Sequence, residues 1–316
     1  ALTLLSGVEG TMCTGGHSTT DRQRERFMHV TLLGTGCPQA HPMRMGPASL
    51  VRADDLSLLV DCGSGVTQRL VEAGSHSAAI DALFLTHLHT DHLVDLYQVI
   101  ISSWHRGRDR PHRLFVPKGV GALVDGLMEL WRDEREQRIA YERRPSTAAF
   151  DLEVTEIEEG VVFDEGGIRV EAFLVDHGPV RPAFGLTFEQ RGLRTVFSGD
   201  TTVCDAVEQA AVGADLLVHE VFVHREMAVR PGVRTTAGIE AVAAYHTLSS
   251  EVGKVAARAR PGLLLLNHIV PVDADRDALF AEVRRDFNGP MVVGEDLVSV
   301  DVDARSLAYG DLRLGF

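Results

Sequence analysis

The chain has 316 residues, 45% hydrophobic and 24% charged, a balance that supports a sizeable core and excludes disorder on a large scale. Its 31 basic against 45 acidic residues give a net charge of −14, which disfavours nonspecific attraction to nucleic acid or an anionic membrane. No stretch approaches the roughly 18 apolar residues of a membrane span, and Cys13, Cys37, Cys62 and Cys204 show no CxxC pairing, so neither a disulfide framework nor a zinc knuckle is indicated and a reducing cytoplasm is the expected setting.

Residues 1–27 are Gly, Ser, Thr and charge without a period, and read as a tail or arm. Their apolar run, Ala1 to Leu5, is far shorter than an export signal requires, so no cleaved signal is expected. Residues 28–316 are expected to form a single domain. Short β-branched or Leu-rich runs at His29–Leu33, Ser49–Val51, Ser57–Val60 and Ala82–Leu85 predict strands, separated by Gly-rich or polar turns. Gly34-Thr35-Gly36 is too short for a phosphate loop and reads as a tight turn. Helical spacing begins at Leu93 and continues through Leu96, Tyr97 and Ile100. The run His105-Arg106-Gly107-Arg108-Asp109-Arg110-Pro111-His112-Arg113 reads as a solvated loop, with anion recognition as its functional alternative. A second helix is predicted from Gly119 to Trp131, continuing into Arg-Asp-Glu-Arg-Glu-Gln-Arg as a solvated face.

The second half repeats the alternation. Strands are predicted near Ile168–Val175, Ala183–Phe188, Thr195–Ser198 and Asp215–His219, then a helix near Ser250–Ala259 and a strand at Leu263–Asn267. This is an α/β chain, and two halves of similar plan suggest two sheets packed face to face with helices outside.

Directly after the fourth predicted strand comes Thr86-His87-Leu88-His89-Thr90-Asp91-His92. In an extended segment His87 and His89 point the same way and can reach one metal. Asp91 and His92, at the turn into the next helix, can address a second ion beside it. Imidazole nitrogens and carboxylate oxygens suit Zn²⁺, while Mn²⁺ or Fe would also be held. Further donors are needed, and candidates end predicted strands: His177 in Val-Asp-His-Gly, Asp200 in Ser-Gly-Asp-Thr and His268 in Leu-Leu-Leu-Leu-Asn-His. Each taken alone is as well read as a cap or turn former.

The ordered series HLHTDH, DHG, SGDT and NH resembles the ligand pattern of the metallo-β-lactamase superfamily, a resemblance that spans about 240 residues from the first predicted strand to His268. The resemblance implies an αβ/βα four-layer sandwich, two mixed sheets flanked by helices, with the ligands on loops along one edge. It implies a first metal held by His87, His89 and His177, a second by Asp91, His92 and His268, and Asp200 bridging. Asp61 in Val-Asp-Cys-Gly matches an early aspartate that supports the site's loops. Tyr245-His246-Thr247 and His219-Glu220 resemble the ribonuclease Z and arylsulfatase-like branch. There His246 would assist catalysis, with His219 and Glu220 as supports.

The activity so implied is two-metal hydrolysis by a bridging hydroxide, with Asp91 orienting the water, His246 serving the leaving oxygen and Glu220 behind it. Only 22 residues separate His177 from Asp200, where ribonuclease Z proteins commonly carry an RNA-gripping arm. This, with the negative charge, points to a small anionic ester, an aryl sulfate or a phosphodiester. Lactone or β-lactam hydrolysis and ribonuclease Z-type processing of tRNA 3′ ends are the alternatives. His89, where flavin-linked di-iron members carry Glu, argues for hydrolysis over redox chemistry. The family also suggests a homodimer, though no sequence feature marks an interface.

Overall fold

A computed structural model describes residues 28–316; the expected N-terminal tail over residues 1–27 lies outside the described residues. Strands β1 (Met28–Gly34), β2 (Ala48–Ala53) and β3 (Leu56–Val60) form an antiparallel meander. Parallel crossovers follow, through α1 (Val66–Glu72) to β4 (Ala82–Phe84), through α2 (Leu96–His105) to β5 (His112–Pro117), and through α3 (Val120–Leu130) and α4 (Arg132–Glu142) to β6 (Leu152–Ile157).

The second half opens with the antiparallel strands β7 (Gly160–Glu165), β8 (Ile168–Leu174), β9 (Phe184–Gln190) and β10 (Leu193–Phe197). Parallel strands then extend that sheet: α5 (Asp205–Ala211) leads to β11 (Leu216–Phe222), α6 (Thr236–Ala243) and α7 (Ser249–Ala259) to β12 (Leu263–Val270), and α8 (Arg276–Val283) to β13 (Met291–Val293). The chain ends with β14 (Ser299–Asp301), β15 (Ser306–Tyr309) and β16 (Leu312–Gly315), which return to pair beside β1. The result is a nine-stranded sheet ordered β16-β15-β14-β1-β2-β3-β4-β5-β6 and a seven-stranded sheet ordered β13-β12-β11-β10-β9-β8-β7.

Strand periodicity explains the layers. Val30 and Leu32 of β1 face the inter-sheet core together with Val218 and Leu265 of the other sheet, while Leu33 turns outward under the helices. Along Leu263–Leu266 the side chains alternate, Leu263 and Leu265 entering the inter-sheet core and Leu264 and Leu266 the layer beneath α7 and α8. An uninterrupted Leu run is what a strand covered on both faces requires. Phe84 joins the sheets, stacking on Phe115 at 4.8 Å and meeting Phe163 and Phe188 edge-on at 5.9 and 5.8 Å. These helix, sheet, sheet and helix layers are the four-layer sandwich expected from the sequence.

Two local expectations need correction. The helix predicted from Gly119 into the charged run breaks at Trp131, whose ring stacks on Tyr97 at 5.2 Å. Beyond it, α4 buries no residue, so nothing holds the two segments on one axis. The Arg-rich run is not a solvated loop either, because His112 and Arg113 open β5 and Arg108 is buried. Its guanidinium donates to the carbonyls of Ala78, Ile80, Arg110 and Pro111. Arg110 and Arg113 are paired with Asp81 and Glu165. Arg108 thus ties the run into the fold, and Arg110 and Arg113 face carboxylates rather than open solvent alone.

Candidate metal centre

The polar residues that interrupt the apolar runs gather at one edge of the sandwich. β3 ends just before Asp61, β4 before Thr86 and His87, β8 before His177 and β10 before Asp200, while Glu220 and His268 lie near the ends of β11 and β12. Because β3 with β4, and β10 with β11 and β12, run parallel, their carboxyl ends share that edge, where open α/β sheets place ligands.

Asp61 anchors the loop. It takes a left-handed φ of 61°, and its carboxylate accepts from the Thr86 amide at 2.9 Å and from His92 Nδ1 at 2.8 Å. Cys62 N donates to His92 O at 2.7 Å, and Phe184 N to Thr86 O at 2.9 Å, which ties the loop to the second sheet. Gly63 packs so closely that a Cβ would come within 2.6 Å of Asp91 O. Only glycine lets the two loops approach this far.

One donor atom from each of His87, His89, His177 and Asp200 falls within 4.8 Å of the others, as do those of Asp91, His92 and His268. Asp200 stands between the two groups, its Oδ2 lying 3.7 Å from His87 Nε2, 3.3 Å from His92 Nε2 and 3.2 Å from His268 Nε2. Asp91 Oδ2 is 3.3 Å from His268 Nε2. All seven residues named from the sequence therefore converge, in two groups that suggest a binuclear centre.

The donor set fits divalent cations. The Nε2 atoms of His87 and His92 are buried without a hydrogen-bond partner, although burying a polar nitrogen unpaired costs free energy. Their other nitrogens are engaged, His92 with Asp61 and His87 Nδ1 with Thr86 Oγ1 at 3.0 Å. His177 Nδ1 donates to Tyr245 O at 2.8 Å, which turns its Nε2 toward His89 Nδ1 at 3.0 Å. Outer hydrogen bonds of this kind fix the tautomer that ligates metal. Burial holds His87 well below, and His89 and His177 below, the usual imidazole range, so they stand neutral. Burial works against His92 too, but Asp200 and Asp61 override it and hold a proton there. Asp200 is likewise kept ionised despite burial, by His268 and His92. A cation held there would supply positive charge beside that buried carboxylate.

His246, between α6 and α7, is buried at the cavity wall, with Nδ1 2.9 Å from Glu220 Oε1. Burial pulls its pKa down, but the Glu220 carboxylate more than compensates and pushes it up to about 9. Glu220 Oε1 also accepts from the Thr201 and Thr247 amides at 3.0 and 3.1 Å. Glu220 thus holds the His246 ring through Nδ1. His219 faces away from the centre, buried with Nδ1 on Glu220 O at 2.7 Å.

A cavity of about 350 Å³ opens onto the centre, lined by Asp91, Asp200, His246 and His268 together with Cys37, Met227, Arg234, Val242 and Tyr245. Of the second group, the sequence reading drew only Tyr245 toward the site. Met227 and Arg234 come from a loop with no motif, and nothing in their spacing marks them.

Against known proteins, the model of the family described as anti-Pycsar protein Apyc1 matches residues 28–233. A protein named ribonuclease Z from Mycobacterium marinum is 35% identical over 284 residues, which cover 88% of this chain and 100% of that protein. Among solved structures, the metallo-β-lactamase fold protein YhfI from Bacillus subtilis superposes with a TM-score of 0.67 at 20% identity, covering 87% and 99% of the two chains. The short form of human tRNase Z gives 0.64 at 21%, also covering 87% and 99%. These two likenesses concern the fold.

Proposed function

The chain belongs to the metallo-β-lactamase superfamily, in the family described as anti-Pycsar protein Apyc1 and among relatives named ribonuclease Z, and from that premise we propose a two-metal phosphodiester hydrolase that acts on RNA. His87, His89 and His177 would hold one cation and Asp91, His92 and His268 the other, with the Asp200 carboxylate shared between the two groups. This nitrogen and oxygen donor set is suited to Zn²⁺. When bound, the cations supply Lewis acidity, lowering the pKa of a coordinated water toward about 7 and offsetting negative charge on the phosphate.

The protein's own groups do the rest. Asp91, ionised at the cavity floor, orients the attacking water and takes its proton. His246, charged at neutral pH, protonates the departing oxygen, and Glu220 keeps it charged and aimed. The observation that carries this reading is His246, paired with the buried Glu220 and lining the same cavity as Asp91 and Asp200. A proton donor there serves an alkoxide leaving group, as in RNA cleavage.

The short segment between His177 and Asp200, a β9–β10 hairpin turned at Arg191 and Gly192, does not set this chain apart. The Mycobacterium marinum protein is spanned end to end in 284 aligned residues, which leaves little room for a long arm there either. The net charge of −14 favours a second reading, a small phosphodiester. Aryl sulfates, lactones and β-lactams serve as comparison substrates.

The test is metal analysis of the purified protein with initial rates on a precursor tRNA, bis(4-nitrophenyl) phosphate, an aryl sulfate, a lactone and a β-lactam, with and without chelator. Chelator-sensitive cleavage of RNA in preference to the small diester is expected. Turnover of only the sulfate, lactone or β-lactam would overturn the reading.

A further inference from the structure

Arg234 is the one lysine or arginine among the described residues lining the cavity. Its backbone is pinned on both sides. Arg230 and Arg234 exchange hydrogen bonds of 2.9 and 2.8 Å that close a tight turn, and Thr235 caps α6 by accepting from Gly238 N at 3.0 Å. The side chain is half-buried, its Nη1 3.8 Å from Met227 Sδ, and no carboxylate among the described residues is paired with it. Arg44, Arg69, Arg110, Arg113 and Arg258 all have acidic partners. A guanidinium carried on a hydrogen-bonded turn at the cavity wall, with no carboxylate paired to its fork, suits bidentate binding of a phosphate.

The rest of that wall is apolar or aromatic, with Met227, Val242, Val270, Pro271 and the Tyr245 ring. The volume of about 350 Å³ is at the small end of ligand pockets. It matches one sugar and base against an aromatic and aliphatic wall.

We propose that Arg234 binds a second phosphate of the substrate, so that the cavity takes one nucleotide between the scissile phosphate at the Asp and His cluster and its neighbour at Arg234. The proposal rests on the phosphodiester reading and narrows it to a strand with consecutive phosphates. An isolated diester lacks the group that Arg234 would hold.

Steady-state kinetics test it with the metal-loaded enzyme and the dinucleotide UpU, bare or with a terminal phosphate at its 5′ or 3′ end. For the wild type, one of the two added phosphates is expected to lower KM about tenfold, the scale of one charge-assisted contact. In Arg234→Gln the KM ratio between bare and phosphorylated UpU should fall to near one without a matching change in the kcat ratio, and Arg234→Lys should restore part of it. Wild-type cleavage of UpU with no gain from either phosphate would overturn the subsite alone, as would a gain that persists in Arg234→Gln. Failure of the wild type to cleave any phosphodiester would overturn the phosphodiester reading and the subsite with it.

Discussion

Asp61 Oδ2 sits 2.8 Å from His92 Nδ1, and that one hydrogen bond decides which nitrogen of His92 faces the centre. With Nδ1–H donated to the carboxylate, a cation that displaced the proton on Nε2, 3.3 Å from Asp200 Oδ2, would find the lone pair of that nitrogen facing the centre. In Asp61→Asn an amide N–H can face Nδ1 and favour the other tautomer, placing a hydrogen where the cation belongs. Metal affinity should fall about 10–100-fold, as for other supports of ligating histidines. Competition with a chromophoric chelator measures it, and wild-type affinity in the variant would refute the role.

Donors and the proton source should separate by substitution. His87→Ala or Asp200→Ala is expected to lose metal and activity together. His246→Gln should keep its metal and lose about 10²–10⁴-fold in kcat, the range of general acid catalysis. Elemental analysis beside rates distinguishes the cases; an emptied centre in His246→Gln would make His246 a ligand.

The pH profile follows from Glu220. His246 has a folded pKa of about 9 against 6.5 for a free imidazole. Its ion pair is therefore intact below 6.5 and is lost, with its contribution to stability, as pH rises through the folded value. Activity that needs the charged ring should fall on the same alkaline limb, and bound cations, acting oppositely to Glu220, set that limb at or below about 9. In Glu220→Gln the amide oxygen can still accept from Thr201 and Thr247, but the charge is gone. The limb should move to lower pH by about one unit or more; an unmoved limb would assign it to another group.

His112 makes the opposite prediction for stability. Burial, then Arg108 and Arg110, lower its pKa from 6.5 to about 3, and it stays neutral, donating from Nε2 to Ser103 Oγ at 2.8 Å. Between those values the unfolded chain binds a proton that the folded one refuses. Stability is undiminished above 6.5 and falls as pH drops toward 3, by about 1.4 kcal/mol per unit at most. Urea unfolding at several pH values should show the wild type losing ground in acid relative to His112→Gln. A constant gap between the two would count against a neutral buried ring.

The sequence made the centre legible where a polar residue interrupts an apolar run. His87 and Asp200 follow Phe84 and Phe197 because a strand buried on both faces admits donors where it ends, and His268 follows Leu263–Leu266 where the pairing of β12 is interrupted. Charge was a poorer guide. Arg108 counts as one cation in the sequence, and nothing there says that its partners are the carbonyls of Ala78 and Ile80. Arg234 reaches the cavity from a loop whose position depends on the turn at Arg230 and the cap at Thr235, distant in sequence from every donor except His246. The three-residue strands β13 and β14 are too short to carry a period.

His268 occupies a bulge. Glu220 pairs with Asn267 and Val221 with Ile269, so His268 has no partner across the ladder and takes a φ of 41°. A bulge is one surplus residue in an otherwise regular pairing. An in-frame loss of a single codon there would let β11 and β12 zip without interruption, leaving the fold whole and the chemistry one donor short. Descendants that shed the activity yet kept the scaffold should often be one residue shorter at this point, and regaining it would take an insertion, a rarer event than a substitution.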